Sequence, residues 1–260
     1  MQLRCPVPGT MPPPLLLLHG FPLDGTIWAP QVEGLADATQ VIAPDLPGFG
    51  SNQGEVPAVL TMEALADAAV AELDARGIER AIVGGLSMGG YVAMACWARH
   101  PERVAGLVLC NTRMSADTPE GRLSREETAR TALEKGMELI ARAMVPKLLA
   151  PSSQRMRPEL GRGLEALIAR QRPAAVAAAA RGMALRPDRG AELAGVTVPA
   201  LVITGDSDAL MPLPTSLAMR DAIPGCGLAV IPGAAHLPNL EQPNLFNAVV
   251  RGFLEALDTA

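Results

Sequence analysis

With 260 residues, 49% of them apolar and 19% charged, the chain is long enough for one α/β domain with a sizeable core, with room for an insertion and none for two unrelated domains. A net charge of −5 argues against a polyanion such as nucleic acid as partner. Near the amino terminus, one Arg and the short run at residues 15–18, cut off by His19-Gly20, can act neither as a signal-peptide core nor as a membrane span, so a cytoplasmic protein is expected. Cys5, Cys96, Cys110 and Cys226 are scattered without C-x-x-C spacing and read as small buried apolar residues rather than ligands or bridges.

Residues 1–13 carry four prolines and little periodicity, which allows at most a short edge strand. The leucine run at 15–18 reads as the first buried strand. It ends in His19-Gly20-Phe21-Pro22, a tight turn that can present backbone N–H groups outward, as an oxyanion requires. His19 reads as a residue that hydrogen-bonds locally to hold this loop, not as a catalytic base. Residues 26–36 predict a helix capped by Asp24 or Thr26, and its Trp28 either lines a pocket or packs in the core. Residues 39–43 predict a second strand. The turn-forming loop after it, 44–51, contains Asp45, to which we assign a structural role bonding nearby backbone N–H groups. From Thr61 to Gly77, Met62, Leu65, Ala66, Ala69, Val70 and Leu73 recur at helical spacing, with Thr61 as N-cap and Gly77 just past the end.

Next comes Gly85-Leu86-Ser87-Met88-Gly89, preceded by a strand-like run at 80–84 and followed by a helical one at 91–97. This is the context of a nucleophile elbow. A serine hydroxyl must stand clear of the backbone to reach a carbonyl carbon, and glycines on either side leave space for the sharp turn that exposes it. A further strand at 104–110 leads into Asn111-Thr112-Arg113, while His100, in Arg99-His100-Pro101, reads as a surface connection.

Strand-like runs then vanish. Helical segments broken at Gly136, Pro146, Pro151, Pro158, Pro173 and Pro187 follow one another, with Ser124 and Glu127 as a capping box for one of them. Residues 113–190 are therefore expected to form an all-helical lid inserted between core segments 1–112 and 191–260. From 113 to 189 there are fifteen Arg plus Lys against nine Asp plus Glu, so the lid is +6 and the remainder −11. That imbalance serves either docking and solubility or substrate steering.

The sheet resumes at 198–204, which runs into Gly205-Asp206-Ser207-Asp208, and again at 228–231, which runs into Pro232-Gly233-Ala234-Ala235-His236. The order Ser87, then Asp206 or Asp208, then His236 is the chain order of the α/β-hydrolase arrangement of a serine triad. The stretch 245–257 predicts a closing helix.

On these residues the chain resembles the α/β-hydrolase fold proteins over nearly its whole length, through His19-Gly20-Phe21-Pro22, the Asp45 to Gly50 loop, Gly85 to Gly90, Gly205 to Asp208 and Gly233 to His236. The resemblance implies an eight-stranded, mostly parallel sheet flanked by helices, although the segment before Leu15 is short for the usual first two strands. It also implies Ser87 as nucleophile, Asp208 as acid and His236 as base, with an oxyanion hole made by the backbone N–H groups of Phe21 and Met88. The strings at 19–24 and 87–91 are similar to bacterial carboxylesterases and 3-oxoadipate enol-lactonases, with cofactor-free perhydrolases nearby.

The function expected is hydrolysis of a small-molecule carboxylic ester or lactone through an acyl-enzyme on Ser87, with no metal or organic cofactor required. Alternatives are an enol-lactonase acting on a carboxylate-bearing lactone, a perhydrolase, and a ligand receptor that keeps the site but turns over slowly. Phe21, Met88, Met114, Leu237 and Trp28 are expected near the mouth of a mainly apolar pocket. Arg113, at a strand's carboxyl end, either pairs with a substrate carboxylate or serves structure by capping a helix or pairing with Asp117.

Overall fold

Apolar runs without polar alternation form strands that are covered on both faces, as in parallel sheets. The computed structural model, which describes residues 12–257, contains six of them: β1 (Leu15–Leu18), β2 (Val41–Ile42), β3 (Ala81–Leu86), β4 (Val104–Cys110), β5 (Ala200–Gly205) and β6 (Gly227–Ile231). Every residue of β1, β3 and β5 is buried. All pairings are parallel and the order is β2-β1-β3-β4-β5-β6.

The chain thus steps from β1 outward to β2 and returns on the other side of β1 to form β3. Connections leaving β1 and β3 diverge there, which opens a crevice at the carboxyl ends of the strands. Registers such as Leu18 beside Gly85 and Leu86 beside Cys110 bring the loops that follow these strands to one edge.

Among the described residues the sheet has six strands, not the eight implied by the resemblance. The edge strand anticipated within residues 1–13, and Cys5, fall largely outside the described residues. β2 is also shorter than expected, two residues, ending ahead of Pro44.

Two groups of helices flank the sheet. α1 (Ala29–Gly34) packs with α12 (Pro243–Leu257) and α11 (Pro238–Glu241), and Asp24 caps the 3₁₀ turn Gly25–Trp28 that precedes α1. α2 (Met62–Ala75) packs on α3 (Met88–Arg99), which also meets α9 (Gly190–Ala194), itself packed on α10 (Leu213–Ala222). Thr61 caps α2 by accepting from the Ala64 N–H at 3.1 Å, and Gly77 follows its end at φ 67°. No helix among the described residues is long and apolar enough to cross a membrane.

Between β4 and α9 stand α4 (Pro119–Lys135), α5 (Met137–Leu148), α6 (Pro151–Met156), α7 (Pro158–Ala169) and α8 (Pro173–Leu185). The capping box expected at Ser124 and Glu127 is not used. α4 starts earlier, at Pro119, whose missing N–H costs nothing in a first turn, and Thr118 accepts from the Gly121 N–H at 3.1 Å. Pro146 does not break α5 but sits in its last turn.

This helical segment is anchored on the core by backbone contact. The Leu60 N–H donates to the Ala178 carbonyl at 3.0 Å, and a Cβ on Gly182 would lie 1.7 Å from the Leu60 oxygen. α8 therefore touches the chain ahead of α2 backbone to backbone. Gly182→Ala is expected to lower unfolding stability by at least about 1–3 kcal/mol, the usual cost of overpacking, measured by urea denaturation. A change within about 0.5 kcal/mol would mean that α8 is not seated as described.

Candidate active site

The elbow is built by steric exclusion. A Cβ on Gly85 would meet the Gly89 oxygen at 2.0 Å, and one on Gly89 would meet the Leu18 oxygen at 2.0 Å. Ser87 between them holds φ 55°, ψ −110°, outside the usual regions for an L residue. Such strain persists only where surroundings over-determine it. Here the Ser87 N–H donates to the Cys110 carbonyl at 2.9 Å, and the Thr112 hydroxyl donates to the Ser87 carbonyl at 2.8 Å. The side-chain hydroxyl makes no hydrogen bond to a described residue.

Two strands away, Asp208 is buried and its Oδ2 lies 2.8 Å from His236 Nδ1. The same oxygen accepts from Asn111 Nδ2 at 2.5 Å, while Oδ1 accepts from the N–H groups of Leu210 at 2.8 Å and Met211 at 3.1 Å. Burial pushes the Asp208 carboxyl up, but the His236 hydrogen bond and charge, Asn111 and the Met211 N–H outweigh it and hold it below its ordinary 3.8. With Nδ1 engaged, Nε2 is the ring nitrogen of His236 left to exchange a proton.

Asp206, the other acid of that loop, has a different job: its Oδ1 accepts from the Ser207 hydroxyl and from the Gly233 N–H at 3.0 Å, holding two loops together.

Two further polar residues, neither expected to take part, complete this arrangement. Asn111 stands at the end of β4 with φ 42°, a conformation that Asn tolerates well, and also donates to the Ala235 carbonyl at 3.1 Å. Glu241 is buried and accepts from the N–H groups of Ala235 and Ala150, both at 2.7 Å, while the His236 N–H donates to the Leu148 carbonyl at 3.1 Å. One carboxylate thus fixes the histidine loop to the junction of α5 and α6. A strand-end Asn was a visible hint for the first; only the tertiary contact reveals the second.

Ser87 and His236 line one cavity of about 480 Å³, together with Phe21, Leu148, Met183 and Met211. Phe21 lines this cavity; Met88, also expected near its mouth, does not, because it is fully buried where α3 starts. The backbone N–H groups of both have no acceptor among the described residues, as is usual in the first turn of a helix for Met88. Of the other residues expected at the mouth, Arg113 lines the cavity and also pairs with Asp117 at 2.5 Å. Trp28, Met114 and Leu237 do not line it. Trp28 is fully buried against Phe246, with ring centroids 6.0 Å apart, because its turn packs onto α12. Leu237 is fully buried core at the start of α11, and Met114 lies in a separate crevice beside Tyr91, Met94 and Arg186.

His19 is buried between loops, its ring bonded to the Gly20 carbonyl at 3.0 Å and accepting from the Leu46 N–H at 3.1 Å, and burial pushes it below its ordinary 6.5. Asp45 accepts from the N–H groups of Gly25 and Ser51, both at 2.7 Å, as its structural reading required. Burial pushes the Cys96 thiol up to about 12 and moves Cys110 further the same way, so neither supplies a thiolate. Among the described residues, no three His, Cys, Asp or Glu side chains cluster to hold a metal ion.

A model of the alpha/beta hydrolase family matches residues 15–249. The chain belongs to that family. A thermophilic esterase from Thermogutta terrifontis, solved with malate bound, is 41% identical, superposes with a TM-score of 0.92, and is matched over 95% of this chain and 91% of that one. The enol-lactonase of Burkholderia xenovorans is 28% identical with a TM-score of 0.87 over 95% of this chain and 92% of that one. A 2-hydroxymuconate semialdehyde hydrolase of a Pseudomonas species is 32% identical over 95% of this chain and 88% of its own length. As a member of this family the chain is a hydrolase with esterase and lactonase relatives.

The environment of Asp208 carries two consequences. Its folded value lies below that of the unfolded chain, so its stabilisation is complete above pH 3.8 and is lost as pH falls through the folded value. Acid titration of stability is expected to be shallower in Asp208→Asn than in the parent; identical profiles would remove Asp208 from the acid response. On a p-nitrophenyl ester, Asp208→Asn is expected to lower kcat by about 10⁴-fold, and Asp206→Asn by less than about tenfold. The reverse ranking would move the acid to Asp206.

Proposed function

We propose that this hydrolase cleaves small carboxylic esters or lactones through an acyl-enzyme on Ser87. The observation that carries the reading is the 2.8 Å pair of Asp208 and His236 opening onto the cavity that Ser87 lines from a strained strand-to-helix turn. His236 Nε2 takes the hydroxyl proton as Ser87 Oγ bonds to the acyl carbon, and Asp208 holds the imidazole tautomer and stabilises the imidazolium. The oxyanion accepts hydrogen bonds from the Phe21 and Met88 N–H groups.

As the intermediate collapses, the acyl–oxygen bond breaks and the His236 proton passes to the departing alkoxide. Water then adds to the acyl carbon, giving its proton to His236, and Ser87 leaves with that proton restored. These steps use this chain's own groups throughout.

Residues 113–190 act in this reading as a lid whose α4, α5 and α8 wall the cavity. Esterase and enol-lactonase relatives support an ester or lactone as the substrate class. A volume of about 480 Å³ suits a small to medium acyl group.

Ser87→Ala is expected to abolish hydrolysis of short p-nitrophenyl esters while its circular dichroism and thermal transition stay those of the parent. Activity above about a tenth of the parent would overturn Ser87 as nucleophile, since loss of the nucleophile costs several orders of magnitude. A panel of p-nitrophenyl esters of rising chain length, with lactones beside them, checks the substrate class: turnover favouring short acyl chains is expected. Tight binding without turnover on every member would instead identify a receptor.

A further inference from the structure

This inference rests on the ester or lactone reading above and concerns what the substrate carries besides its scissile bond. On the cavity wall, the Asp117 carboxylate has a side chain only 1% exposed and receives three guanidinium groups. Arg113 Nη2 lies at 2.5 Å, Arg186 Nη2 at 2.9 Å and Arg125 Nε at 3.1 Å. Burial pushes the Asp117 carboxyl up, but the hydrogen bond from Arg186 and the charges of Arg125 and Arg186 bring it down to about 2. One anion facing three cations leaves two positive charges in excess.

The three arginines are not equivalent. Arg186 is buried, donates also to the Ser115 and Met183 carbonyls, and lies 4.1 Å over the Tyr91 ring. Both of its Nη groups are used inside the fold, and its Nε is buried without an acceptor. Arg113 and Arg125 instead line the cavity that holds Ser87 and His236. Arg125 spends only Nε on Asp117, so neither of its Nη groups has a partner among the described residues. Arg113 gives Nη2 to Asp117, and its Nε is buried without an acceptor.

The remaining charges of the wall do not cancel this excess. Lys147 of α5 lines the cavity and pairs with no described carboxylate, while Glu127 is matched by Arg130 at 2.6 Å. A planar guanidinium with both Nη groups free is the shape that grips a carboxylate through two parallel hydrogen bonds.

We infer that the substrate bears a free carboxylate, as a half-ester or lactone of a dicarboxylic acid does, and that Arg125 binds it with Arg113 alongside. Asp117 is a positioning residue: it holds both guanidinium groups toward the cavity and keeps them from repelling each other. The pairing of Arg113 with Asp117 is therefore part of the recognition site rather than an alternative to it.

The test compares mono-p-nitrophenyl glutarate with p-nitrophenyl valerate, in which a methyl replaces the carboxylate. The ratio of kcat/KM for the first over the second is measured in the parent, Arg125→Gln and Arg125→Lys. Arg125 is partly exposed on α4, and the buried Asp117 carboxylate keeps Arg113 and Arg186 as partners when it is replaced. In Arg125→Gln the ratio is expected to fall by about ten- to a hundredfold, mainly through KM. Arg125→Lys restores part of it, because charge returns without the fork. In the parent the ratio declines as salt is raised.

Labelling of Ser87 by a fluorophosphonate, slowed by sodium glutarate in the parent but not in Arg125→Gln, gives a reading independent of turnover. An unchanged ratio in Arg125→Gln, with both esters hydrolysed, would overturn carboxylate recognition alone. Failure of the parent to hydrolyse either ester or to label at Ser87 would overturn the hydrolase reading and this inference with it.

Discussion

The Asp208 carboxylate is the point on which the arrangement of strand ends depends. Four donors converge on two oxygens: the His236 ring from the loop after β6, Asn111 from the end of β4, and the Leu210 and Met211 N–H groups from its own loop. A buried carboxylate without such partners would be driven toward its neutral form. With them it stays charged and orders three separate segments at once. The same bonds that stabilise the anion fix the tautomer of the imidazole, so folding energetics and the proposed chemistry share one set of contacts.

A second set of contacts ties the helical segment to this centre. Glu241 bridges the histidine loop and the α5–α6 junction, and the buried Asp24 carboxylate, which also caps the first 3₁₀ turn, accepts from Arg170 at 2.8 Å and Gln171 at 3.0 Å. Gln171 also accepts from the Gly50 N–H at 3.1 Å. Each links the segment to a loop at the carboxyl edge of the sheet. The bonds to the Glu241 carboxylate and that of Gln171 to Asp24 are buried and charge-assisted, stronger than exposed ion pairs, while Arg170 reaches Asp24 from a side chain that is 58% exposed. The base of the segment is therefore held in register with the cavity floor, while α4 carries the Arg125 face of the wall.

Charge is distributed along the same lines. The charge of basic residues between 113 and 189 is in several places matched one to one, by Glu126 for Arg181 and Glu127 for Arg130 within the segment and by Asp24 of the core for Arg170. At Asp117 it is not, because one buried acid is shared by three arginines. A count of charges over the segment could not show this difference, which depends on which side chains converge.

The strands, the strand-to-helix turn at Ser87 and the order of Ser87 and His236 are legible in the chain alone. Those signals are local: a buried parallel strand is a short apolar run, a strand-to-helix turn needs Gly85 and Gly89 where neighbours leave no room for a Cβ, and helix ends carry their own caps. Tertiary structure decided the rest. Trp28 and Leu237 are apolar residues near the right loops, and only packing shows that both face the core. Asp206 and Asp208 are two positions apart in one loop; the residues themselves left both open, the family resemblance implied Asp208, and the structure shows their different partners, His236 and Asn111 for Asp208 and the Gly233 N–H for Asp206. Asn111 and Glu241 act through partners 97 and 91 residues away, a separation across which one sequence carries no pairing signal, whereas Asp117 pairs with Arg113 four residues off, as expected, and only the fold adds Arg186 from 69 residues away.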